Sequence, residues 1–279
     1  MSPCKILIVF WVTLLGTVAL AADTSIYRNP FEDVPKYVQA QVEDYGEYWT
    51  TPLRWNQDEW TTVWSFIGIT GALLLVDYPV HHGTNVESLN GVNAYLDPAY
   101  QMGHWPNVAK AVPSLFVLGW VLGDTKLQHA NYLAARSFGA EILVVQGLKN
   151  LTYRDNTQGD PFLFKSPRWE FPSYGAFPSG HAAISWAVLT SYAIAYEEDP
   201  PIPFICYTLA TLSSIALITT RTHWISDIPA GAAIGYYTAQ FSAHTEKRRF
   251  DRDTHRPTTT VIPFLTDEGG PGLAYQLQF

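Results

Sequence analysis

Apolar and polar positions divide this chain into blocks. The apolar stretches are Val63–Val76, Ala111–Leu122, Ile184–Tyr196, Phe204–Thr219 and Ile228–Phe241. Most run to about 13–16 residues, short of the about 20 that a membrane span needs, and several contain Ser, Thr or Gln. They read as buried helices. With their flanks they predict helices over 58–76, 107–122, 126–151, 180–196, 203–219 and 226–247, with Asp58 capping the first. Residues 77–102 read as a loop, because Pro79, Gly83, Asn85, Asn90, Gly91 and Asn93 break any period. Residues 153–177 form a second long loop, and loops of that length inside a compact domain often carry function. The tail changes character. Val261–Leu265 and Leu273–Phe279 flank a Gly-rich turn at 267–272, which predicts a β-hairpin. The expected architecture is therefore all-α, a bundle of roughly six helices with a short C-terminal β-hairpin.

The N-terminus reads as an export signal. Lys5 precedes an apolar run from Ile6 to Ala19, and Ala19-Leu20-Ala21 has the small-x-small pattern of a cleavage site. A retained anchor is the other reading. The expected organisation is a signal peptide at 1–22, a wrapping segment at 23–57, a helical domain at 58–250 and a tail with the hairpin at 251–279. The protein is then exported, to the periplasm or cell envelope. Removing the signal takes the formal net charge from −8 to −9. Such an acidic balance argues against a nucleic-acid partner. Cys4 falls in the signal, so Cys206 is the one cysteine left and no disulfide framework exists. Apolar residues make up 47% of the chain, with ten Trp and sixteen Tyr. That suits a thick helical core or a polytopic membrane protein, and the segment lengths favour a soluble or peripheral form. Trp55, Trp60 and Trp64 read as core aromatics, with a membrane-facing belt as the alternative.

Candidate chemistry gathers at three places. In Pro178-Ser179-Gly180-His181, Ser179 is a good N-cap for the helix that follows. The first N–H groups of a helix have no internal partner and carry partial positive charge, so that end suits an anion. Gly180 admits an oxyanion close to the backbone, and His181 can exchange a proton near pH 7. The competing reading is a plain N-cap beside an incidental histidine. Downstream, His223 precedes a predicted helix start at Ser226, and Asp227 lies in the opening turn. Asp227 can hold the Nδ1 proton of His223 and leave Nε2 free as a nucleophile, or it can simply face the helix dipole. Upstream, Lys149 and Arg154 end a predicted helix. They can hold phosphate oxygens or serve the helix C-terminus.

Taken together and in this order, the lysine and arginine, Pro-Ser-Gly-His, and His-x-x-x-Asp followed by Ala-Gly resemble the type 2 phosphatidic acid phosphatase and vanadium haloperoxidase superfamily. The resemblance covers roughly 130–243. More weakly, YWTTPLRWNQDEW at 48–60 is similar to the lead-in of exported bacterial members. The resemblance implies roles residue by residue. His223 becomes the nucleophile that forms a phosphohistidine, and Asp227 its orienting carboxylate. His181 becomes the general acid, Ser179 and Gly180 phosphate-binding donors, and Lys149 the first motif's lysine. It implies a metal-independent phosphatase acting on a phosphorylated small molecule or lipid at a membrane surface, with no cofactor. Vanadate can stand in as a phosphate mimic.

Two motif positions depart from the family. Asn156-Thr157 stand where Arg-Pro is expected, and Ala216-Leu217 where Ser-Arg is expected. Positive charge on the equatorial oxygens is central to phosphoryl transfer. Arg154 and Arg221 are the candidate substitutes, with Lys165 or Arg168 from the loop. The alternatives are vanadate-dependent peroxide chemistry and a non-catalytic anion- or lipid-binding envelope protein. The remaining histidines, His81, His82, His104, His129, His244 and His255, read as surface or loop residues, and none has metal-ligand spacing.

Overall fold

The computed structural model describes residues 39, 42–84, 87–254, 258–265 and 271–278. The predicted signal peptide and His255 lie outside the described residues. Residues 42–50 are helical and continue into a short 3₁₀ turn at Thr51–Arg54. An ion pair between Asp44 and Arg136, both buried, ties this segment to the bundle.

The first long helix, α1, spans Gln57–Gly83. Its cap is Asn56, not Asp58. The Asn56 side chain accepts from Asp58 N and Glu59 N at 2.9 and 3.0 Å, and Glu59 returns the bond to Asn56 N at 2.7 Å. The helix does not stop at Val76 but runs on through Pro79. A proline there removes one backbone bond, and a helix this long keeps the rest. Further helices are α2 (Asn90–Gln101), α3 (Trp105–Leu122), α4 (Thr125–Thr152), α5 (Gly180–Ala195), α6 (Pro201–Thr219) and α7 (Asp227–Thr254). Most of the predicted 77–102 loop is thus helical. Asn and Gly there open α2 rather than break it, and α2 buries Ala99 as it packs on α6.

The core sits around α5, which packs on α4 and α6, while α3 lies along α4. Val108 and Val112 of α3, Ala130 and Ala134 of α4, Leu189 and Tyr192 of α5 and Ala210 of α6 form one buried cluster. The inner face of α5 is built from small residues: Ala182, Ala183, Ser185 and Ala187 are all fully buried. This lets α7 approach closely at Gly231 and Gly235.

Two helices among the described residues, α1 and α6, are long and apolar enough to cross a membrane. Only 6% of the most apolar stretch of α1 is buried, and 28% of that of α6. This corrects the expectation of short buried helices. Trp60 and Trp64 stack at 6.2 Å on the outside of α1, at 39% and 62% exposure, so they are not core. The one buried residue of α1 is Asp77.

By its contacts the chain divides at Ser242. Beyond it, β1 (Thr258–Leu265) and β2 (Pro271–Gln278) pair antiparallel, with Val261 opposite Tyr275.

Candidate active site

Ser179 ends the long loop and caps α5. Its Oγ accepts the Ala182 N–H at 3.3 Å, and its own N–H donates to the Asp227 carbonyl at 3.0 Å. The Pro-Ser-Gly-His turn is therefore fastened to the opening of α7. Gly180 and His181 supply the first N–H groups of α5. A Cβ at Gly180 would come no nearer than 3.8 Å to Lys149 Cε and Val145 Cγ1, so the space over this turn is open.

The structure brings His181 and His223 together across that space, with ring centroids 6.2 Å apart and both rings partly exposed. The turn between α2 and α3 closes one side. Gly103 packs on the His181 carbonyl so tightly that a Cβ there would lie 2.4 Å from it. Tyr100 and His104 stand 5.0 and 5.9 Å from the His181 ring. His181 Nε2, His223 Nδ1 and His104 Nδ1 are buried nitrogens without a protein hydrogen bond. His104 is thus not the exposed loop histidine that was expected. His81, on helix α1 and also not in a loop, has its ring 4.9 Å from Trp224, while His82 is exposed. His244 is exposed, as expected. His129 is largely buried, and burial pushes it down to about 4.

Burial also lowers His181 to about 4, helped by the cationic forms of His223, His104 and Lys149. His181 is therefore neutral at pH 7. A bound dianion would reverse this by favouring the imidazolium. Lys149 is buried at the end of α4, with Nζ donating to the Gly175 carbonyl. Burial lowers it to about 8, while Asp227 and Glu141 hold it up. Glu141, about two turns earlier on α4, is pushed well above the usual carboxylate range by burial, against the pull of Lys149.

Asp227 is fully buried. Its Oδ2 accepts the Trp224 N–H at 3.1 Å and lies 3.5 Å from His223 Nδ1. Its Oδ1 accepts from Arg154 Nη1. Arg154 is not poised over the open space. Nε and Nη2 both donate to the Pro161 carbonyl, at 2.9 and 2.8 Å. Nη1 also reaches Ser226 Oγ at 2.7 Å, and Nη2 reaches Asp77 Oδ2 at 2.5 Å. All five N–H donors are thereby engaged by protein.

Arg221 takes a left-handed backbone, φ 54°, and sends Nη2 to the carbonyls of Thr84 and His82 at the end of α1. Lys165 pairs with Asp155 at 2.6 Å, and Arg168 lies over the Tyr153 ring at 4.8 Å. Of the cations considered, Lys149 is the one that flanks the Ser179–Gly180 turn; the guanidinium groups serve protein carboxylates, carbonyls and a ring. Sequence reasoning gave no part in this site to Asp77 and Tyr100, which fell in the supposed 77–102 loop, or to His104, which was read as a surface or loop histidine. A lone acid closing the apolar run Val63–Val76 was the available signal for Asp77. Among the described residues, no three His, Cys, Asp or Glu side chains gather as a metal site.

A helix N-terminus, a buried lysine and two facing imidazoles border one space, a set of groups with the chemistry to hold an oxyanion. Residues 136–251 match a family model, that of the PAP2 superfamily. This stretch is a PAP2 superfamily domain. The PAP2 domain runs from α4 into α7 and holds Lys149, Arg154, Ser179, Gly180, His181, Arg221, His223 and Asp227, whereas Asp77 and His104 lie upstream of it. The chain is similar to a lipid A 1-phosphatase of Porphyromonas gingivalis, 25% identical over 46% of this chain and 28% of the relative. It is also similar to an uncharacterized protein of Methanocaldococcus jannaschii, 29% identical over 29% of each chain. The matches thus span little more than a quarter of either relative's length. Among solved structures, it is similar to a transmembrane PAP2 type phosphatidylglycerolphosphate phosphatase from Bacillus subtilis. That likeness has a TM-score of 0.45 at 14% identity, over 78% of this chain and 96% of that one.

Proposed function

We propose that this protein is a metal-independent phosphatase that hydrolyses a phosphate monoester or diphosphate carried on a lipid, through a phosphohistidine on His223. The observation that carries the reading is the pair of imidazoles, 6.2 Å apart at the N-terminus of α5, close enough for one bound phosphate to touch both. Lys149, the Ser179 hydroxyl and the N–H groups of Gly180 and His181 hold the non-bridging oxygens. His223 Nε2 attacks phosphorus, with Asp227 stabilising the charge that develops on the ring. The P–O bond to the alcohol breaks, and the alkoxide takes a proton from His181. His181 carries that proton because the bound dianion raises its affinity for it. Water then attacks phosphorus, giving a proton to His181, the P–N bond breaks with its electron pair returning to His223 Nε2, and inorganic phosphate leaves.

A lipid-borne substrate is supported by the exposed apolar flanks of α1 and α6 and by the named activity of the P. gingivalis relative. The same flanks support residence at or in a membrane. We place the protein in the exported envelope fraction on the strength of its N-terminal sequence.

Phosphate release from a chromogenic monoester, and from a lipid phosphate in mixed micelles, tests the reading. His223→Ala should abolish release from both. His181→Asn should accumulate an acid-labile phosphoenzyme. Wild-type turnover by the His223 variant would remove the mechanism. One observation favours a second reading, a non-catalytic anion-binding protein: neither Arg154 nor Arg221 is free to neutralise the transferring group, because Arg154 is saturated and Arg221 is turned to α1. Phosphate binding without turnover across a panel of monoesters, diphosphates and lipids would decide for it. Peroxidase activity appearing only with added vanadate would instead point to vanadate chemistry.

A further inference from the structure

Two carboxylates share one guanidinium beneath the candidate nucleophile. Arg154 bonds Asp227 through Nη1 and Asp77 through Nη2, and all three side chains are buried. Asp77 does more than meet Arg154. Its Oδ1 accepts the Ser226 N–H at 2.9 Å, and its Oδ2 accepts the Ser226 hydroxyl at 2.6 Å. It therefore clamps the residue just before Asp227, from a helix with no other buried residue.

The charges matter as much as the shape. Asp77, Arg154 and Asp227 together carry a net charge of −1. Without Asp77, Arg154 and Asp227 would neutralise one another, and His223 would face a balanced pair. With Asp77 drawing on the same guanidinium, Asp227 keeps net negative character toward His223 Nδ1, 3.5 Å away. In a dry setting that charge acts strongly on a ring becoming cationic.

We propose that Asp77 is a positioning residue for phosphoryl transfer: it holds Arg154 and Ser226 in place and takes up the Arg154 charge, so that Asp227 can serve His223. The proposal rests on the phosphohistidine reading above. It also gives α1 a second task, since the apolar helix delivers this carboxylate from outside the PAP2 domain.

The test uses the full chain in detergent micelles, with a thermal melt for each variant. Asp77→Asn keeps the shape and loses the charge. It should lower kcat about tenfold to a hundredfold, the range for residues that orient a reacting group, with KM moving by less than about threefold. Asp77→Glu restores the charge and should bring kcat back to within about tenfold of wild type. The inhibition constant of inorganic vanadate should rise alongside the fall in kcat, because vanadate accepts a bond from His223. That of inorganic phosphate should stay put, since it forms no such bond. A folded Asp77→Asn protein with wild-type kcat, or with its loss confined to KM, overturns the proposal. If Asp77→Asn does not fold, Asp77→Glu decides, and a folded Glu variant without activity is equally fatal. An inactive wild-type protein would sink the phosphatase reading itself and this proposal with it, whereas an active wild type with an indifferent Asp77→Asn sinks the proposal alone.

Discussion

Substituting Gly231 by alanine tests whether the closeness of α5 and α7 sets the site. A methyl at Gly231 would stand 2.2 Å from the Ser179 carbonyl oxygen, 3.1 Å from its carbon and 3.2 Å from Ala182 Cβ. Ordinary contact lies at 3.4–4 Å, so the helices must part by about 1 Å. No flexible side chain can absorb this. The first obstacle is backbone, and the Ser179 carbonyl already accepts the Ala183 N–H at 3.1 Å as part of the first turn of α5. His181 moves with α5, while Asp227 moves with α7. The parting therefore widens the gap between the two imidazoles by a similar amount. Overpacking of this kind costs about 1–3 kcal/mol, partly offset by alanine's roughly 1 kcal/mol better helix propensity. A net loss of up to about 2 kcal/mol lowers the melting temperature by up to roughly 8 °C for a chain of this size. The larger effect should fall on rate, because a displacement of about 1 Å can cost about a hundredfold. The assay is kcat on a chromogenic monoester beside a thermal melt. Gly180→Ala is the steric control: with no neighbour nearer than 3.8 Å, it should leave the melt unchanged. A Gly231→Ala protein with wild-type melting and wild-type kcat would show that the close helix contact does not position the histidines.

Acid should destabilise the protein through two histidines. His129 and His181 are both lowered from 6.5 to about 4, so the unfolded chain takes up protons that the native state refuses as pH falls below 6.5. Each costs up to about 1.4 kcal/mol per pH unit until about pH 4, with less from the partly exposed His181. Denaturation midpoints at pH 7 and pH 5 measure this, and His129→Gln should remove the larger share of the difference. Lys149, lowered to about 8, loses its charge as pH rises through that value. KM for a phosphate ester should climb between pH 7 and pH 9, and Lys149→Met should have a raised KM without that rise; a parallel climb in the variant would exonerate Lys149. Replacing Trp60, Trp64 and Ile67 by serine should reduce partition into lipid vesicles if the exposed flank of α1 meets lipid. Unchanged partition would assign that flank elsewhere.

The long apolar periods placed α3 to α7 well, because caps and core faces there agree: Ser179 caps α5 where expected, and Asp124 accepts the Leu127 N–H at 2.9 Å at the start of α4. The stretch 77–102 was misread for a local reason. Gly, Asn and Pro are weak helix formers taken singly, yet Pro79 falls near the end of a helix already nucleated, and α2 is stabilised by packing on α6. Tertiary contact outweighed propensity there. The length of α1 was misjudged at its far end, where Pro79 and Gly83 were read as breakers although the helix runs on to Gly83. At the site, motif spacing together with the family resemblance singled out the two histidines and Asp227, which the structure brings near one another. The fate of the arginines was not. Spacing assigns Arg154 to phosphate, but whether a guanidinium is free depends on which acids share its pocket, and one of them lies 77 residues away in the chain.

That distance explains how the displaced motif arginines bear on the site. A guanidinium held by two carboxylates cannot also clamp a phosphate, so this chain uses Arg154 to shape the base of the site rather than its rim. The rim is left with Lys149, backbone N–H groups and imidazoles. Lysine is a compact charge without the fork that grips two oxygens at once. A site built so should tolerate variation in phosphate orientation better than a two-arginine clamp, and should lean more heavily on the nucleophile's own environment. The carboxylate proposed to set that environment comes from α1, whose apolar stretch is the less buried of the two span-length helices among the described residues, so the proposed lipid-facing surface and the electrostatics of the proposed nucleophile would be joined through a single buried side chain, Asp77.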